Sequence, residues 1–159
     1  MSNNKYYTPS IEEFHVGFEY EGTSAYREMD GSEDVYKVCK FNLIEIEGFD
    51  TFKYLDTQLK AGLVRVKYLD KKDIESLGFI LQPTENTSFG DITGEYVNET
   101  NSIHIYYKLD KIGVTYPMFI YKTVNKVKVK VFDGYVKNIS ELKVLLKQLG
   151  ITDVQENKE

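Results

Sequence analysis

Residues 102–109, 114–124 and 126–137 alternate apolar with polar side chains, and only Asp110-Lys111-Ile112-Gly113 and Asn125 separate them. A parallel connection consumes a dozen or more residues, so segments this close together are expected to pair antiparallel, as consecutive hairpins. Residues 96–97 add another strand just upstream, beyond a short Asn, Glu and Thr stretch. Asp133-Gly134 is expected to mark a bulge or tight turn inside the last segment.

The rest of the chain alternates strands with short helices. Pro9 and Ser10 lead into Ile11, Glu12, Glu13 and Phe14, one helical turn with its acids at the positive end. Val16, Phe18 and Tyr20 then alternate with His15, Gly17, Glu19 and Glu21, which predicts a strand over residues 15–21. Residues 35–47, rich in Val, Ile, Phe and Leu, read as an extended or bent strand. Phe52, Leu55 and Leu59 recur at helical spacing until Gly62, and Val64, Val66 and Tyr68 return to strand alternation. Asp70 is a cap for a second short helix through Leu77, ended by Gly78, with a brief strand over residues 79–82. Ser140 is expected to cap a last helix whose buried stripe is Leu142, Leu145, Leu146 and Leu149. Ile139 and Val144 would form its hydrophobic staple, and Gly150-Ile151 its Schellman end. The expected fold is α+β: a curved antiparallel sheet of hairpins covered by two or three short helices, one domain over residues 1–151 with 152–159 as a frayed charged tail. Residues 22–34 and 82–94 have loop composition.

Composition narrows function mainly by exclusion. Lys and Arg number 20 against 25 Asp and Glu, a net charge of -5, so the chain is not expected to be a general nucleic-acid binder. Its one cysteine, Cys39, allows no internal disulfide and sits in an apolar strand pattern, where an inert buried thiol is expected. The polar start and the lack of a long apolar run predict neither a secretory signal nor a membrane span, and so a cytoplasmic protein. No Gly-rich phosphate loop, His-Glu-x-x-His or Gly-x-Ser-x-Gly sequence occurs. A non-enzymatic chain without cofactor or metal is therefore expected.

Three groups of residues carry possible chemistry. Lys122, Lys126, Lys128 and Lys130 alternate with Val127, Val129 and Val131 beside Tyr116, Tyr121 and Tyr135, the pairing of cations and aromatic platforms that holds a nucleotide. The plainer reading is a strand kept soluble by lysines. Tyr26, Met29, Asp30, Glu33 and Asp34, with Glu28, lie in the acidic, aromatic loop, which suits either a partner-binding surface or a solvated loop and does not reproduce a calcium loop. His15, Glu19 and Glu21 share one strand face, and His104 would complete a metal or acid/base set if its strand paired with theirs. The plainer reading, and the one favoured, is a solvated strand face whose charges keep a sheet soluble.

Tyr6-Tyr7-Thr8-Pro9 with residues 11–20, Arg65-Val66-Lys67-Tyr68-Leu69-Asp70 with residues 73–79, and Lys137-Asn138 with Ser140-Glu141-Leu142-Lys143 and residues 145–149 together resemble small uncharacterised proteins encoded by gut Bacteroidetes and by their phages and prophages. The resemblance implies a context and brings no catalytic residues. It makes the first expectation a phage or mobile-element accessory protein in the bacterial host cytoplasm, binding a host protein and inhibiting a defence system, with self-association open. The alternative is a nucleotide-sequestering module built on the Lys/Tyr surface. A small metal- or carboxylate-dependent enzyme is the residual reading.

Overall fold

Among the described residues the alternating segments form two antiparallel sheets, of four and five strands, neither closed into a barrel, and three α-helices complete an α+β fold. In this computed structural model the described residues are 5–23, 36–42, 50–82, 94–107 and 117–151. The chain divides into two compact units, Met1–Lys67 and Tyr68–Glu159, each with its own hydrophobic core. Among the described residues no helix is long and apolar enough to cross a membrane.

The first unit orders its strands β1-β4-β2-β3, where β1 is Tyr6–Tyr7, β2 Glu19–Gly22, β3 Lys37–Lys40 and β4 Val64–Lys67. A 3-10 turn, Ile11–Glu13, and helix α1, Thr51–Lys60, accompany them. Asp50 caps α1 by accepting from the Lys53 N–H at 3.0 Å. Gly62, at φ +71°, ends it with the paired bonds of a Schellman motif, Gly62 N–H to Leu59 O and Leu63 N–H to Gln58 O. Phe14, Phe18, Phe41, Leu55, Val64 and Val66 fill the core. On the outer sheet face Arg65 lies between the rings of Tyr6 and Tyr36, 4.0 and 3.6 Å from their centroids, and binds Glu21.

Two expectations change here. The strand expected from His15 begins only at Glu19, because Gly17 takes φ +88° and the Phe18 N–H closes a turn onto His15 O. Phe18 is buried while Val16 is 63% exposed, so the apolar alternation does not mark one face there. Cys39 is half-buried rather than sealed in the core. Of the strand expected over residues 35–47, residues 37–40 are strand, and 35 and 43–47 lie outside the described residues.

The second unit is a meander, β5 (Ile80–Gln82), β6 (Glu95–Asn98), β7 (Ile103–Tyr106), β8 (Pro117–Val124) and β9 (Val127–Tyr135), each strand pairing with the next. Asn125 and Lys126, both at positive φ, make the two-residue turn that joins β8 to β9. Tyr96, Ile103, Ile105, Met118 and Ile120 form one buried sheet face. It packs with Ile74 and Leu77 from helix α2 (Lys71–Ser76) and its end, and with Leu142 and Leu146 from helix α3 (Ile139–Gln148). A reciprocal capping box between Asp70 and Asp73 opens α2.

The bulge of β9 is not at Asp133-Gly134, which pair regularly with Phe119 and Met118. It is at Val131, skipped between the Ile120–Phe132 and Tyr121–Lys130 pairs. Helix α3 begins earlier than expected: Asn138, not Ser140, is the cap, its side chain accepting from the Glu141 N–H at 3.0 Å. With that start, Ile139 and Val144 no longer occupy staple positions, and Val144 is 38% exposed. The Schellman end stands as expected, with Gly150 N–H on Lys147 O and Ile151 N–H on Leu146 O. Residues 152–159 lie outside the described residues.

Candidate functional site

The face of the five-stranded sheet turned away from α2 and α3 follows from alternation: residues beside the buried ones point the other way. It carries Glu95 from β6, His104 and Tyr106 from β7, Phe119, Tyr121 and Thr123 from β8, and Lys128 and Lys130 from β9. Register does the rest. Tyr106 stands opposite both Glu95 and Phe119, His104 opposite Tyr121, Lys130 opposite Tyr121 and Lys128 opposite Thr123.

These side chains form one bonded network. A single carboxylate oxygen of Glu95 accepts from His104 Nδ1 at 2.7 Å, from the Tyr106 hydroxyl at 2.7 Å and from Lys128 Nζ at 2.9 Å. Lys128 Nζ also donates to the Tyr106 hydroxyl at 3.0 Å. Burial pushes the Glu95 carboxyl up, but the hydrogen bonds from Lys128, Tyr106 and His104 outweigh it and hold it below its ordinary value. Burial likewise opposes the charge on Lys128, and the Tyr106 and Glu95 contacts prevail and raise its pKa. Because an ionised carboxylate only accepts, His104 donates through Nδ1, and in the neutral ring Nε2 is free to accept from the Thr123 hydroxyl at 3.2 Å. Around this network, Tyr106 and Tyr121 meet edge to face at 5.4 Å, and Lys130 lies over the Phe119 ring while bonding Asp133 at 2.7 Å.

Thr123, His104 and Glu95 thus line up hydroxyl, imidazole and carboxylate, the order of a nucleophilic triad. What such chemistry also needs is a preorganised pair of N–H donors for the oxyanion. The Thr123 N–H is already bonded to Ser102 O at 2.8 Å. That N–H is therefore committed to the sheet and does not face the hydroxyl as an oxyanion donor.

The stabilisation at Glu95 has a pH signature. A carboxyl whose folded pKa lies below its ordinary 4.5 contributes fully above that value and loses its contribution as pH falls through the lower folded pKa. Urea midpoints measured from about pH 7 down to about pH 3 are expected to fall less steeply for Glu95→Gln than for the unmodified chain. Parallel curves would mean that the network does not favour the charged carboxylate.

Of the residues the sequence singled out, the structure brings Lys128, Lys130 and Tyr121 together. Lys122, next to Tyr121 in the strand, points to the opposite side, paired with Ile103 and Val129, and Lys126 sits in the turn. Tyr135, 66% exposed, ends β9 opposite Pro117. Tyr116 and the loop residues Tyr26, Met29, Asp30, Glu33 and Asp34 lie outside the described residues. The set of His15, Glu19, Glu21 and His104 does not form through strand pairing: β2 pairs with β3 and β4, and β7 with β6 and β8. Glu19 bonds Lys40, Glu21 bonds Arg65, and His15 Nδ1 lies 3.1 Å from Glu13 O. Among the described residues no group of three or more His, Cys, Asp or Glu side chains is placed to hold a metal. The sequence reading missed Glu95, Tyr106, Phe119 and Thr123, whose only signal was their place on the polar side of alternating strands. No known protein family, no curated protein and no solved structure matches the chain.

Proposed function

We propose that this chain is a non-enzymatic accessory protein of a phage or mobile element that binds a host protein in the bacterial cytoplasm, using the face of its five-stranded sheet turned away from α2 and α3. The observation that carries this reading is where the lysine charges go. Lys128 is paired with Glu95 at 2.9 Å and Lys130 with Asp133 at 2.7 Å, so the lysine charges beside Tyr106, Phe119 and Tyr121 already have partners within the chain. A preorganised aromatic surface with balanced charge suits a protein partner, because its side chains lose little freedom on binding. The resemblance to phage-encoded proteins supports the context, and inhibition of a host defence system is the task this reading assigns.

Recovery of a defence protein from host lysate by the tagged chain, reconstituted with the purified partner, tests it. Tyr121→Ala and Tyr135→Ala are each expected to weaken that complex about tenfold or more while leaving the fold intact. Nucleotide binding abolished by changing Lys126, Lys128 and Lys130 together to Gln would instead favour the sequestering alternative. Retention of full affinity in both tyrosine variants would remove this face from the interaction.

A further inference from the structure

The first unit contains a cleft of about 360 Å³ between α1 and the face of β2 and β3 that carries Tyr20 and Cys39. That size lies within the usual range for small-molecule sites, about 300 to 1,000 Å³, and the lining has their usual character, mainly apolar with a few polar groups. Tyr20, Phe41 and Tyr54 provide aromatic surface, while Asn42 and Gln58 offer both donors and acceptors.

Charge distinguishes the lining. Among the described residues, two that line the cleft are lysines and none is Asp or Glu, in a chain with 25 acidic residues against 20 basic ones. The two lysines differ. Lys40 reaches across to Glu19 at 3.3 Å, on the other side of the sheet from Cys39. Lys37, two residues from Cys39 and therefore on its side, forms no ion pair among the described residues. Burial, with Cys39 and Tyr54 nearby, raises the Tyr20 pKa, so its hydroxyl stays protonated and able to donate.

We propose that this cleft binds a small aromatic anion, its ring held among Tyr20, Phe41 and Tyr54 and its charge met by Lys37. The site is independent of the sheet face assigned to a protein partner, and either assignment can fail without the other.

Cys39 provides the readout, since it is the only thiol in the chain and lines the cleft. The rate of its alkylation by iodoacetamide is measured on the full chain with naphthoate or adenosine monophosphate, and with the uncharged counterparts naphthylmethanol and adenosine. At least one anion is expected to slow alkylation about threefold at twice its dissociation constant, and its neutral counterpart to protect far less. Protection by naphthoate alone assigns an aromatic carboxylate, and protection by the nucleotide alone a nucleoside phosphate. Lys37→Gln, which removes the cation, and Gln58→Glu, which places a carboxylate in the lining, are each expected to raise the anion's dissociation constant about tenfold, so that protection at the same concentration falls from about threefold to about 1.2-fold, with unchanged thermal melting. The proposal is overturned if neither anion protects at millimolar concentration, if the neutral compounds protect equally, or if both variants protect as the unmodified chain does.

Discussion

Truncating Phe18 to alanine is expected to destabilise the protein by about 3 to 5 kcal/mol, the largest single effect in the first unit. Its ring is fully buried, 4.9 Å from that of Phe14, which in turn packs against Tyr20 and Phe41 at 5.4 Å. The Phe18 backbone is also fixed on both sides, its N–H on His15 O and its carbonyl accepting from the Phe41 N–H at 2.8 Å. With the backbone tied, the neighbours cannot close over the missing ring, and a cavity adds to the lost transfer energy. Val16 gives the contrast. It would share an apolar face with Phe18 in an uninterrupted strand, yet it is largely exposed, and Val16→Ala is expected to cost less than about 0.5 kcal/mol. Urea denaturation compares the two, and hydrogen exchange in β2, β3 and β4 locates the loss. Comparable costs for both variants would restore the continuous strand and remove the turn at Gly17.

The turn, and the other features the sequence misplaced, show which information is local. Helix ends were legible where one residue does one job: Asp70 as a cap, and Gly62, Gly78 and Gly150 at positive φ after the last turn. At α3 two cap-forming residues compete, and Asn138 rather than Ser140 caps the helix. The deciding signal was present, because Asn138 is followed three residues later by Glu141, the spacing of a capping sequence, whereas Ser140 is followed by Lys143. Gly17 inside an alternating run was likewise a readable sign of a bend. The network at Glu95 was not readable. It joins residues 9, 11 and 33 positions apart, and each contact depends on the register of strands whose alternation is the same in any register that keeps the core face inward. The bulge at Val131 is of the same kind, since a skipped residue is defined only against its partner strand. So the α+β class and the glycine helix ends followed from periodicity and turn chemistry, while the constellation around Glu95 required the pairing itself.

Helix α3 gives the second large effect, and it depends on the corrected helix start. Leu142 and Leu146, one turn apart, are fully buried in the second core, whereas Leu145 and Leu149 are partly buried at its margin. Leu146→Ala is therefore expected to cost about 2 to 5 kcal/mol, toward the upper part of that range. Leu146 does more than fill space: its carbonyl accepts the Ile151 N–H at 2.9 Å, and Ile151, 3% exposed, belongs to the same core, so the side chain and the helix end support one another. Leu145→Ala and Leu149→Ala are expected to cost less, since part of each side chain already meets water. Asn138→Ala, which removes the cap, is expected to cost about 0.5 to 2 kcal/mol. The expected order is Leu146 first, the marginal leucines and the cap next, and the exposed Val144 last, read from urea midpoints of five single-alanine variants. If Leu145 or Val144 proved as costly as Leu146, the helix would be rotated about its axis, and the cap would return from Asn138 to Ser140.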